Sequence, residues 1–178
     1  MTEWDPEAFE NALIDDMRAH GGAVTTGPLA GHPLLVMFSK GAKSGERRRA
    51  ILTFTRDGGD YVVAGTASGA PTAPAWVQNV RQDSSVEVEA ENRTFKATAR
   101  VVDDDERDRL WKQHVEALPH FADYPEKAGR VIPMVRPTAP SASMLMAMRR
   151  ATLAWLVLRA RDVGGRSVPA QGRRPAAG

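Results

Sequence analysis

Ala50-Ile51-Leu52-Thr53-Phe54-Thr55-Arg56-Asp57-Gly58-Gly59-Asp60-Tyr61-Val62-Val63-Ala64-Gly65 is the stretch that decides the architecture. Two strand-like runs, Ala50 to Thr55 and Tyr61 to Gly65, flank Asp57-Gly58-Gly59-Asp60, which has the chemistry of a tight hairpin turn. Strands joined this way are antiparallel. Upstream, Leu34 to Ser39 reads as another strand. Before it, Asp5-Pro6-Glu7 opens a helix, with Asp5 as cap, Pro6 at the first helical position and Phe9, Leu13 and Met17 as one apolar stripe.

Downstream, Pro74 to Gln82 reads as a short helix with Trp76 and Val80 on one side. Val86 and Val88 alternate with Glu87 and Glu89 as in a half-buried strand. Glu91-Asn92 turns the chain into a strand carrying Phe95, Ala97, Ala99 and Val101 on one face. Asp103-Asp104-Asp105 starts a helix whose acidic first turn suits its dipole, with Leu110, Trp111, Val115 and Leu118 buried. After an irregular piece around Pro119 and Pro125, Val131 to Val135 is expected as the last strand. Hairpins with inserted helices favour a mostly antiparallel α+β barrel over a parallel alternating sheet.

The chain of 178 residues is 42% hydrophobic and 26% charged, the balance of an ordinary globular domain. It holds no cysteine, which removes disulfides, thiolate catalysis and cysteine metal sites and fits a cytoplasmic location. No secretory signal opens it, and no apolar run approaches the ~20 residues that span a bilayer. The net charge of +2 conceals an asymmetry: residues 149–178 hold seven arginines and one aspartate, leaving 17 basic against 21 acidic groups before them. The basic pI therefore belongs to the tail, and nucleic acid is not an expected partner of the globular part.

Residues 1–22 are read as an N-terminal helical segment and 23–138 as the barrel domain. Residues 139–163 are expected to form a C-terminal helix, and 164–178 a disordered basic tail. Within the helix, 144–161 surrounds an apolar core with arginines that do not gather on one face. It packs on the body or a partner subunit, or touches the inner membrane surface peripherally.

Gly41-Ala42-Lys43-Ser44-Gly45-Glu46-Arg47-Arg48-Arg49 connects the first two strands and sets four cations among chain-bending glycines. Such a loop seats a multiply anionic ligand, or it is a solvated basic turn. It is not the phosphate loop of nucleotide hydrolases, because Lys43-Ser44 lacks the required glycine frame. A second connection, Gly65-Thr66-Ala67-Ser68-Gly69-Ala70-Pro71, leaves room for a planar ligand, or is an ordinary flexible link. Trp76 covers a ligand or fills the core. The four histidines show no metal-ligand spacing and no serine sits in a nucleophile elbow. Basic loops without an obvious acid, base or nucleophile point to a cofactor that carries the chemistry.

Lys43-Ser44-Gly45-x-x-Arg48, the Asp57-Gly58 hairpin, Gly69-Ala70-Pro71-x-x-Pro74-Ala75-Trp76-x-x-Asn79, Phe121-x-x-Tyr124 and Arg130-x-Ile132-Pro133 follow one another in this order. Over about Leu34 to Val135 the chain resembles the deazaflavin-dependent nitroreductase family of actinobacteria, which includes quinone reductases. The resemblance implies a split β-barrel of the pyridoxamine-phosphate-oxidase and FMN-binding type. It implies hydride transfer from reduced coenzyme F-420 to a quinone, nitro compound or activated double bond. The same fold with FMN, or a non-catalytic protein binding cofactor, haem or fatty acid, is the alternative.

By that similarity Ala42, Lys43, Ser44, Arg48 and Arg49 hold the phosphate and oligoglutamate tail. Ala50, Ile51, Leu52 and Thr53, with Ala64, Gly65, Thr66 and Ala67, run beside the ring. Ala75, Trp76, Val77, Gln78 and Asn79 meet phosphate and ribityl groups at a helix N-terminus. Phe121 and Tyr124 wall the acceptor side, and Tyr124, Thr66 or a backbone N–H donates a hydrogen bond to the acceptor. A homodimer is common in this barrel class. The chain departs from the family pattern at Ala67, where many members have lysine, at Ile51 for proline and at Val77 for tyrosine. Thr53 and Leu118 replace tyrosines of the nitroreductase, which disfavours nitroimidazole-type substrates.

Overall fold

The computed structural model describes residues 5–141. Of the segment 139–163 only the first three residues are described, and they are not helical; the rest of it and the tail 164–178 lie outside the described residues. Helix α1 (Pro6–Ala19) is capped by the Asp5 carboxylate, which accepts the amides of Glu7 at 2.9 Å and Ala8 at 3.2 Å. It buries Leu13, Ile14 and Met17 against Leu34 and Val36. Ile14 joins the stripe that the four-residue spacing outlined, because a helix face is wider than one row.

Six strands follow: β1 (Leu34–Lys40), β2 (Arg47–Asp57), β3 (Asp60–Ala64), β4 (Ser85–Ala90), β5 (Arg93–Val101) and β6 (Met134–Thr138). They close a barrel in the order β1-β2-β3-β6-β5-β4, every neighbouring pair antiparallel. The hairpin at Gly58-Gly59 pairs Asp57 with Asp60, as its turn chemistry requires. Glu91 and Asn92 both take positive φ, 49° and 61°, in the tight turn between β4 and β5.

Side chains alternate across each strand. Leu35, Met37, Phe54, Val63, Val88, Ala97 and Val135 fill the inside. Fully burying such an aliphatic side chain contributes about 1.5 to 3 kcal/mol. On the outer face, Val62, Ala64 and Met134 pack under α3 (Asp104–Ala117) together with Leu118 and Phe121. Helix α2 (Ala75–Gln82) joins β3 to β4 and buries Val77 and Val80. The piece expected to be irregular contains a 3₁₀ turn at Pro119–Phe121 and a short helix, α4 (Tyr124–Ala128), closed by Gly129 at φ 61°.

The last strand is displaced from the expected Val131–Val135 to Met134–Thr138. Pro137 cannot donate to a ladder, and the register accommodates it: it faces Ala99, whose own amide donates to the Ser84 carbonyl. Arg136 then fixes β6 to the hairpin and to α3, donating to Asp57, Asp60 and Glu106 at 2.5, 3.0 and 2.5 Å.

Candidate functional site

The basic loop is held in shape by its own backbone. Gly41 donates to Glu46 and Gly45 donates to Gly41, at 2.7 and 2.8 Å, and Gly45 takes φ 70°. A Cβ on Gly41 would lie 2.6 Å from Ser44 Oγ and 3.3 Å from the Glu46 carbonyl, so a side chain there would displace Ser44. The loop is also stapled to α2. The buried Asn79 accepts the Ala42 amide at 2.9 Å and donates to Ser39 Oγ at 3.2 Å.

Between this loop and the start of α2 lies a cavity of about 590 Å³ lined by Gly41, Ala42, Lys43, Ser44, Arg48, Arg49, Ala75, Trp76, Gln78 and Asn79. Residues from two separate stretches, expected to share one anionic ligand, thus meet. Ala75 and Trp76 open α2, so the positive end of that helix forms part of the wall. Trp76 lines the cavity and also packs against the barrel interior.

The four cations of the loop are not equivalent. Arg47 pairs with Glu87 and lies 3.6 Å over the Phe38 ring. Arg48 pairs with Glu46 at 2.6 Å, and Arg49 reaches Glu10 at 3.0 Å and Asn11 at 2.6 Å on α1. Lys43 has no ion-pair partner among the described residues. It is the loop cation whose charge is uncompensated, whereas Arg49 also fastens the first helix.

The ring-side positions fall elsewhere. Leu52 packs on the barrel interior and Ile51 on the cluster beneath α1, so the side chains of Ala50 to Thr53 alternate between two faces. Val77 presents no side chain to a ligand: it is fully buried, and a Cβ on Gly65 would lie 2.9 Å from it. Gly65 donates to Pro133 at 2.8 Å. Ala64, Phe121 and Tyr124 belong to one cluster, with the Phe121 and Tyr124 rings edge to face at 5.2 Å.

The second glycine-rich loop is strained. Thr66 is right-handed (φ −76°, ψ −34°), then Ala67, Ser68 and Gly69 take φ of 48°, 54° and 82°. A left-handed conformation costs an ordinary residue roughly 1 to 2 kcal/mol, and it persists where surroundings over-determine it. Here the fork of Arg130 does so, donating to the carbonyls of Gly65, Thr66, Ala70 and Thr72 at 3.1, 3.0, 3.1 and 3.2 Å. The sequence marked Arg130 only as part of a motif and assigned it no task.

A second residue missed from sequence is His114. It is fully buried, and its Nδ1 lies 2.9 Å from Thr55 Oγ1. Its ring stands edge to face with Phe121 at 4.7 Å. Burial, then the charge of His120, pushes its imidazole down to about 4, so it is neutral at pH 7. Its position four residues after Leu110, on the buried face of α3, was the available signal. Among the described residues no group of side chains could hold a metal ion, and no helix is long and apolar enough to cross a membrane.

A family model described as F420H(2)-dependent quinone reductase matches residues 12–138. An F420H(2)-dependent quinone reductase of Mycobacterium tuberculosis is 30% identical over 106 residues, covering 58% of this chain and 71% of that protein. A solved F420-H2 dependent reductase is 33% identical with a TM-score of 0.54, covering 59% of this chain and 93% of its own. A second solved chain, described as a domain-swapped dimer, is 28% identical with a TM-score of 0.56, covering 75% and 99%. The residues present suit the group these names share. An uncompensated lysine, a hydroxyl, two further arginines and a helix N-terminus match phosphate and carboxylates, and Trp76 offers an aromatic wall.

Proposed function

This chain belongs to the F420H(2)-dependent quinone reductase family, and from that premise we propose that it reduces a quinone to the quinol. It is an oxidoreductase that uses coenzyme F-420. When bound, the reduced deazaflavin supplies the hydride; a proton completes the quinol.

The protein's part is to bind and to orient. Lys43 neutralises coenzyme charge, with Arg48 adding a second cation once Glu46 yields it. Asn79 keeps Ala42 in place and is itself tied to Ser39, and Trp76 forms a wall that rings can lie against. On the acceptor side, the hydroxyls of Tyr124 and Thr66 donate to the quinone carbonyl as charge builds on it. Phe121 and Tyr124 exclude water there. Nitro compounds and activated double bonds are further acceptors of the same chemistry. The observation that carries the reading is the joining of Lys43, Ser44, Trp76 and Asn79 around one cavity.

The test is titration of purified protein with coenzyme F-420 and FMN side by side, then mixing with reduced coenzyme and menadione while following deazaflavin reoxidation. Saturable binding of coenzyme F-420 and rapid reoxidation are expected. Binding of FMN alone, or binding without turnover, sinks the reading. We also place the enzyme in the cytoplasm, as a homodimer, with residues 144–161 touching the inner membrane surface. Light scattering, and liposome cosedimentation with and without residues 141–178, check these points.

A further inference from the structure

We infer that Arg130 is a positioning residue for hydride transfer. It sets the Thr66–Gly69 turn so that three backbone amides receive an oxygen of the coenzyme's ring system. The inference rests on the proposed function, and on three observations in this chain.

The first is the change of hand between Thr66 (φ −76°, ψ −34°) and Ala67 (φ 48°). A right-handed residue followed by a left-handed one turns three successive N–H groups into one concavity, a backbone nest for anionic or carbonyl oxygen. Here they are the amides of Thr66, Ala67 and Ser68. The second is that these amides have no acceptor among the described residues. The amides just beyond them do, since Gly69 donates to Thr66 and Ala70 to Ala67, each at 3.0 Å.

The third is the Arg130 fork. It gathers carbonyls before, within and after the turn, those of Gly65, Thr66, Ala70 and Thr72. Nη2 reaches three of these carbonyls and Nε the fourth, so one planar guanidinium ties both sides of the turn to a single point. Lys127 packs on the end of the turn, where a Cβ on Gly69 would lie 2.5 Å from its methylene chain. Ala67 suits this reading: where the resemblance leads one to expect a lysine, the small side chain leaves the concavity open.

The test uses Arg130→Lys and Arg130→Ala in the full-length protein. Arg130→Lys keeps the charge and loses the fork. Reoxidation of reduced coenzyme in a single turnover should slow about 10²-fold, the usual consequence of misplacing a bound reactant. Coenzyme affinity should fall less than about tenfold, because the Lys43 end is untouched. Guanidinium added to Arg130→Ala should restore part of the rate. A wild-type rate in Arg130→Lys overturns the inference. Should both variants fail to fold, amide exchange in the wild type decides: coenzyme should slow exchange at Thr66, Ala67 and Ser68, and unchanged exchange overturns it. Wild-type protein that binds no coenzyme sinks the functional reading instead.

Discussion

Asn79 holds Ala42 by its backbone: Oδ1 accepts the Ala42 amide at 2.9 Å while Nδ2 donates to Ser39 at 3.2 Å. One buried side chain therefore ties α2 to the loop that carries Lys43. Asn79→Ala should cost about 1 to 3 kcal/mol, the usual range for orphaning a buried donor. Coenzyme affinity should fall with it, because the loop loses its anchor. Thermal melting and coenzyme titration on one preparation check this, and unchanged affinity would remove Asn79 from the binding site.

Lys43→Ala should leave the melting temperature unchanged, since no internal partner is lost. It should weaken coenzyme binding about tenfold, with a reduced dependence on salt. Arg48→Ala should weaken it less, because Glu46 already occupies that guanidinium. Arg49→Ala should instead lower the melting temperature by releasing Glu10 and Asn11 of α1. Titrations at two ionic strengths separate the three.

His114 makes stability depend on pH in one direction. Its folded-state pKa is about 4, while an unfolded histidine titrates near 6.5. The unfolded chain thus takes up the proton first as pH falls. Stability is fully present above about 6.5 and declines toward 4, by about 3 kcal/mol in all. Urea midpoints for wild type and His114→Asn across this window isolate the effect. The variant should lose that slope, and parallel curves would refute the assignment.

Arg136→Ala leaves Asp57, Asp60 and Glu106 without the cation they share. The loss should be about 2 to 3 kcal/mol at neutral pH, below the range for fully buried pairs because Arg136 keeps some contact with water. The Asp57 carboxyl is held below the usual carboxylate range by Arg109 first and also by Arg136. That of Glu106 is held down by Arg100 first and also by Arg136. Carboxylates so held stabilise the fold above their unfolded pKa and lose that contribution as pH falls. The gap between wild type and Arg136→Ala should therefore close below about pH 4, as urea unfolding at several pH values would reveal.

What could be read from the sequence followed the range over which each feature is determined. The Asp57–Asp60 hairpin, the Asp5 cap and the Glu91-Asn92 turn depend on a few adjacent residues, and all stand in the structure. The loop's chemistry was legible from Gly41 to Arg49, yet the difference between Lys43 and Arg49 was not. It rests on Glu10, 39 residues earlier. His114 is held by Thr55, 59 residues away, and Arg130 by four carbonyls 58 or more residues distant. The bounds of β6 were not legible because Pro137 is accommodated through Ala99, whose amide donates to Ser84 instead.

Because β4 returns to β1, the ring of strands has no seam. Strand addition by a second molecule is thereby confined to stretches that the ladders leave open, such as the β3 side of β2 before Phe54. Elsewhere, self-association of this body would draw on side chains of its helices and loops, or on exchange of a whole element between copies. Contacts of that kind can diverge quickly between relatives while the ring itself stays unaltered.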